Sequence, residues 1–225
     1  MNNKISKCLS STTRLLTAGL FAGLFCLHVP AFADDYTTVN KRVSVESGVV
    51  TDEISSVNGR VTVGDNVTAD EISSVNGKVL IGNGVNAGEV STVNGKIEIS
   101  DDVSVRKSVE AVNGTIKIDA GSNIGEDVST VNGTISLSEV TVERMVKTIN
   151  GSIYLTDGTS VKGDIVIGAP NSNKRWNKGW NGRPPKLLID ANSTVDGKII
   201  VYREVEYDFV DSSLMDKVED RSDES

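Results

Sequence analysis

Glu53-Ile54-Ser55-Ser56-Val57-Asn58-Gly59-Arg60-Val61-Thr62-Val63-Gly64-Asp65-Asn66-Val67-Thr68-Ala69-Asp70 is followed at once by Glu71-Ile72-Ser73-Ser74-Val75-Asn76-Gly77-Lys78-Val79-Leu80-Ile81, the same residue classes at the same offsets. The Asn-Gly pair marks the period. It stands at Asn58-Gly59, Asn76-Gly77, Asn94-Gly95, Asn113-Gly114, Asn132-Gly133 and Asn150-Gly151, at separations of 18, 18, 19, 19 and 18 residues. A fixed period of this size is the mark of a repeat architecture, in which one unit cannot bury its apolar face alone and stacks on the next.

The apolar offsets of the first unit are Ile54, Val57, Val61, Val63 and Val67, and later units reproduce them, for example Val109, Val112, Ile116, Ile118 and Ile124. Nearly all are β-branched, stiff at the first side-chain torsion and suited to a pleated surface. The alternation Val61-x-Val63 has the two-residue period of a strand, and the repeat holds no helix-period segment. Two folds compete. Asn-Gly between apolar runs is a strong hairpin signal, because both central residues of a type I′ turn need positive φ, so an antiparallel meander is one option. The other is a single-stranded parallel β-helix. The runs before each Asn-Gly are short, and every offset is kept in every unit, which superposed turns require and a meander does not. The sequence therefore predicts an all-β solenoid with 18–19-residue turns, three sides of about six residues each, and turns about 4.8 Å apart. The valines and isoleucines are expected to face a common axis. Asparagine should then stack on asparagine, each amide bonded to the next, with the adjoining glycine in the left-handed corner.

Val39-Asn40-Lys41, with Val43 and Val45, is an earlier unit in which lysine replaces glycine, so the repeat begins near Asp35. Ile165, Val166 and Ile167 open a later unit and Leu187 to Gly197 close it, with an insertion over residues 169–185 between them. The segment 198–210 carries Arg203, Glu204, Glu206 and Asp208 and reads as a polar cap over the last edge. Residues 34–210 thus form one β-helix domain. The acidic tail, 211–225, is expected to be disordered, with a short helix near Leu214 as the alternative.

Residues 1–33 read differently. Lys4, Lys7 and Arg14 precede an apolar stretch from Leu15 to Val29, and Ala31-Phe32-Ala33 is a small-x-small cleavage site, so a secretory signal peptide cleaved after Ala33 is expected. The protein would then be periplasmic or secreted. No later stretch is long and apolar enough to span a bilayer. Both cysteines, Cys8 and Cys26, and the one histidine, His28, fall in this segment. The exported chain would have neither thiol nor imidazole, which excludes Ser-His-Asp and Cys-His catalysis and His/Cys metal sites. It would carry 20 basic against 31 acidic residues, a formal charge of −11, which disfavours nucleic acid as a partner.

Carboxylates remain. Asp101-Asp102, Asp119, Asp157, Asp190 and Asp196 sit at expected turns, but they do not recur at one offset of the repeat, and neither a metal nor a cofactor is expected. The insertion breaks the pattern of the chain. Lys174, Arg175, Trp176, Lys178, Trp180 and Arg183 bring both tryptophans and four basic residues together without an acid. Aromatic faces stack on sugar rings and cations meet carboxylate or phosphate, so these six residues are the candidate ligand-binding set; folding back onto the coil is their structural alternative.

The recurring unit Ser91-Thr92-Val93-Asn94-Gly95-Lys96-Ile97-Glu98-Ile99 resembles exported bacterial β-helical repeat proteins described as adhesins. Ser193-Thr194-Val195-Asp196-Gly197-Lys198-Ile199-Ile200-Val201 is similar to the turns of bactofilin-like, polymer-forming proteins. The resemblance covers about residues 36–205. It implies a right-handed coil, a non-enzymatic role and self-assembly end to end. The reading that follows is a non-enzymatic structural or binding protein of the bacterial cell envelope, contacting polysaccharide or another envelope component through the insertion. A polysaccharide lyase or hydrolase on a β-helix scaffold and a self-assembling envelope filament are the alternatives.

Overall fold

The computed structural model describes residues 35–169 and 184–224. The expected signal peptide and all six insertion residues of the candidate set lie outside the described residues. The described chain is a parallel β-solenoid. Val43–Val45, Val61–Val63, Val79–Ile81 and Ile97–Ile99 open a nine-stranded sheet that forms face 1. Faces 2 and 3 belong to a 15-stranded sheet. Registers are in step: Val61 pairs with Val79, Val79 with Ile97, and Ile97 with Ile116, all parallel. Among the described residues every strand pair is parallel and none turns back at Asn-Gly, so the meander is excluded there.

The change from 18 to 19 residues has a local cause. In the early turns one strand runs through faces 2 and 3, as in Thr68–Asn76 and Asn86–Asn94. After Ile99 it splits into Ser104–Val105 on face 2 and Val109–Asn113 on face 3. The added corner residue widens the coil, and the inward residues grow to fill it. Thr51, Ala69 and Ala87 of the early turns give way to Val105, Ile124, Val142 and Val161, all buried. A close-packed interior needs that match of volume to space.

Face 1 supplies two inward side chains per turn, such as Ile116 and Ile118, and face 3 supplies Ile54, Ile72, Val90, Val109, Val128 and Val146; these form one continuous core. One expected core column is elsewhere. Val57, Val75, Val93 and Val112 are 39–41% exposed, and Val39 is 60% exposed. The strand period explains it: Ile54 and Ser56 point inward, so Val57 must point outward. The inward place at that end of face 3 is taken by the small hydroxyl column Ser56, Ser74, Thr92 and Thr130, all buried.

The C-terminal region also departs from expectation. Ile199–Val201 pairs with Ile165–Ile167, and Glu206–Phe209 pairs with Lys186–Ile189, so the charged segment is a further turn of the coil and not a cap over it. The capping is done by the tail. A 3₁₀ helix at Ser212–Lys217 buries Leu214 against the core, and Val218–Asp220 adds a last parallel strand to Ile199–Val201. Asp211 caps the helix by accepting from the Ser213 N–H, and Lys217 Nζ donates to the Val195 carbonyl at 2.5 Å. The tail is acidic on average, but one leucine and one valine placed over an open apolar end suffice to order it.

Candidate binding corner

The corner between faces 3 and 1 carries the Asn-Gly pairs. Asn58 Nδ2 donates to Asn40 Oδ1 at 2.7 Å, Asn76 to Asn58 at 2.8 Å, Asn94 to Asn76 at 2.9 Å and Asn113 to Asn94 at 3.0 Å. Asn132 and Asn150 continue it at 2.7 and 3.0 Å. The expected amide ladder is present, and all its carbonyls point toward the C-terminal end. Each amide uses one N–H and one lone pair along the ladder and keeps one of each for other partners.

The glycines serve a different purpose from the one expected. Of those in the Asn-Gly pairs among the described residues, only Gly133 has positive φ, at 155°. What they need is space. A Cβ on Gly77 would lie 1.9 Å from the Gly59 carbonyl oxygen, and one on Gly95 would lie 1.8 Å from that of Gly77. The same carbonyls accept from the inward hydroxyls: Ser74 Oγ donates to Gly59 O at 3.4 Å and Thr92 Oγ1 to Gly77 O at 3.5 Å. Left-handed residues gather instead at the corner between faces 1 and 2, at Gly48, Asn66, Gly84, Asp102, Gly121, Glu139 and Asp157. Where lysine replaces the first glycine, at Lys41, the preceding Asn40 takes φ of 61°.

Arg203 ends the ladder. Its guanidinium Nη1 donates to Asn150 Oδ1 at 2.7 Å and to the Ile149 carbonyl at 3.2 Å, although the residue stands two turns beyond. The pairings Thr148 with Ile167 and Ile167 with Val201 place Ala169 between Asn150 and Arg203 in that column. The small side chain at Ala169 lets the arginine pass. Arg203 is 2% exposed, and burial lowers the pKa of its guanidinium. Arg106 does the same elsewhere, crossing Gly88 to reach Asp70 Oδ1 at 2.5 Å.

The insertion leaves the coil at this corner, between Ala169 at the end of face 3 and Pro184 before the face 1 strand Lys186–Ile189. In the turns before Ala169, a concavity of about 420 Å³ is lined by Asn113, Asn132, Thr134, Asn150 and Ser152 among others. On the face 1 side of the corner, Arg42, Arg60, Lys78 and Lys96 occupy one column, each directly before a paired inward residue of face 1. Lys78 and Lys96 both ion-pair with Glu98, the latter at 2.5 Å. Hydrogen bonds from Lys78 and then Lys96 hold the Glu98 carboxyl below the ordinary glutamate range.

The turn aspartates do not converge. Asp119 pairs with Lys117 at 2.7 Å and Asp196 with Lys162 at 3.5 Å. Burial would raise the Asp190 carboxyl, but hydrogen bonds from Ser193, Asp157 and Asn192 outweigh it and hold the pKa below the ordinary value. Among the described residues no group of three His, Cys, Asp or Glu side chains is arranged to hold a metal ion. No described helix is long and apolar enough to cross a membrane. Sequence reasoning pointed to the asparagine ladder and to the insertion; it overlooked the outward valines and the basic column, whose signal was the parity of the strand and the residue after each glycine. Comparison with protein-family models, curated proteins and solved structures finds no match to this chain.

Proposed function

We propose that this chain is an exported, non-enzymatic structural and binding protein of the bacterial cell envelope, which contacts polysaccharide or another envelope component along its Asn-Gly corner and through the insertion there. The observation that carries this reading is the corner itself: a line of hydrogen-bonded amides and exposed valines repeating once per turn, with cations in four of the turns and a Trp-, Lys- and Arg-rich segment next in sequence after its last turns. Such an array, repeated along the axis, suits an extended partner, and the concavity lined by Asn113, Asn132 and Asn150 lies along the same line. The shifted carboxyls support it, since those of Glu98, Asp190, Asp211 and Glu219 belong to ion pairs, turns and a helix cap. End-to-end filament growth finds less support, because the tail occupies the C-terminal end of the coil.

The test is retention of the full chain on purified envelope fractions. Replacing Trp176 and Trp180 with alanine should abolish retention while leaving the far-ultraviolet spectrum unchanged. Undiminished retention would remove the insertion from the reading, and turnover of any polysaccharide by the wild-type chain would overturn the non-enzymatic assignment.

A further inference from the structure

We infer that the Asn-Gly corner across residues 39–96 is a track for an anionic polysaccharide lying along the solenoid axis, its carboxylates met by Arg42, Arg60, Lys78 and Lys96. This rests on the envelope-binding reading above and gives it a ligand class and a place.

Charge is the first ground. The chain carries a net charge of −8, yet four consecutive turns place a cation at the same position of the corner. Their registers are fixed by Val43 with Val61, Val61 with Val79 and Val79 with Ile97, so they recur at about 4.8 Å. Arg42 and Arg60 are exposed, and Lys78 and Lys96 share the single carboxylate of Glu98. Four cations against one acid leave a positive strip on an acidic protein. The strip ends where Thr115 and Thr134 take over the column.

The neighbouring columns supply what a sugar chain needs besides charge. Each ladder asparagine has a spare donor and a spare acceptor for hydroxyls. Beside it, Val57, Val75 and Val93 offer methyl groups, 39–41% exposed, against which the C–H face of a pyranose packs. A linear polysaccharide repeats carboxylate, hydroxyl and C–H face along one direction, and this corner repeats cation, amide and methyl along one direction. No aromatic residue belongs to these columns, so nothing is placed to stack on nucleic-acid bases. The acids Glu53 and Glu71 stand at the other end of the face 3 strand, about 16 Å from the asparagines, beyond a Debye length of about 8 Å at physiological salt. At that distance they do not cancel the positive strip.

The experiment measures binding of the full chain to polygalacturonate by calorimetry at low and raised salt, with the fully methyl-esterified polymer as the neutral control. The expected result is binding that weakens with salt and is lost on esterification. The triple variant Arg60→Gln/Lys78→Gln/Lys96→Gln should bind roughly tenfold more weakly, the combined effect of several modest solvent-exposed ion pairs, while thermal unfolding stays cooperative and falls by no more than the small loss of the Glu98 ion pairs. Equal binding by variant and wild type would overturn the track while leaving envelope retention, judged separately through the tryptophans, intact. Failure of the wild type to bind polygalacturonate at low salt would overturn it as well. So would equally tight binding of single-stranded DNA, which would reduce the corner to a general polyanion surface.

Discussion

Arg203 reaches back across Ala169 to donate a 2.7 Å hydrogen bond to the side-chain oxygen of Asn150, and so closes a ladder whose amides all point the same way. Aligned amides polarise one another and leave a negative end, as in a helix, and a cation there is favourable. Arg203→Met should cost about 2–3 kcal/mol, the worth of charged hydrogen bonds lost from a buried oxygen. Arg203→Lys should recover only part, because both bonds come from Nη1 at the far end of the guanidinium, which an ammonium on a side chain one bond shorter does not reach. In a solenoid the damage stays near its source. Hydrogen exchange should therefore quicken in the turns around Asn150 and leave those around Asn58 unchanged; uniform exchange, or wild-type stability in urea, would refute the cap.

Glycine substitutions separate close approach from backbone conformation. Gly95→Ala places a methyl 1.8 Å from the Gly77 carbonyl carbon's oxygen, and only backbone movement relieves it. Gly48 has φ of 75° and open space within 4 Å of where a methyl would stand, so Gly48→Ala meets only the left-handed penalty of about 1–2 kcal/mol. Gly95→Ala should be the more destabilising by denaturant titration, at about 3 kcal/mol or more, in the range reserved for substitutions with a specific steric mechanism. The reverse order would mean that the stacked backbone shifts easily to admit a Cβ, and that close approach is not what calls for glycine at this position.

The outward valines give a sharper contrast. Ile72 is fully buried and Val75, three residues on, is 41% exposed. Ile72→Ala should cost about 2–5 kcal/mol through lost burial and a cavity, whereas Val75→Ser should stay within about 0.5 kcal/mol. Thermal unfolding of the two variants checks this, and a large loss for Val75→Ser would return that column to the core.

These contrasts show what was legible beforehand. The period, the parallel stacking, the asparagine ladder and the place of the insertion all follow from residues that recur at one offset. Val57 was misplaced because an apolar, recurring residue looks like core, although the parity from Ile54 and Ser56 already turns it outward. The reason for Gly77 was hidden, since a glycine kept for space and a glycine kept for φ are the same letter, and only the stacked register brings the Gly59 carbonyl beneath it. Arg203 was visible as a charge in the last segment, but its partner appears only when Ala169 is known to lie between them. The tail misled through its average: acidic composition argues for disorder, while Leu214 and Val218 pack against the open end of the core.

Glu98 offers a test by pH. Lys78 and Lys96 depress its folded pKa below the value in the unfolded chain, so the contribution to stability is present above the unfolded pKa and is lost as pH falls through the folded one. The group is partly exposed and screened, so the contribution is small, well within the range of surface ion pairs. Lys78→Gln/Lys96→Gln should return the carboxyl to the ordinary glutamate range in a carbon-detected NMR titration. The stability difference between the two proteins should be largest near neutral pH and shrink as acid protonates Glu98 in both. A carboxyl that titrates identically with and without the two lysines would show that the convergence on Glu98 does not persist in solution, and would weaken the positive strip at its centre.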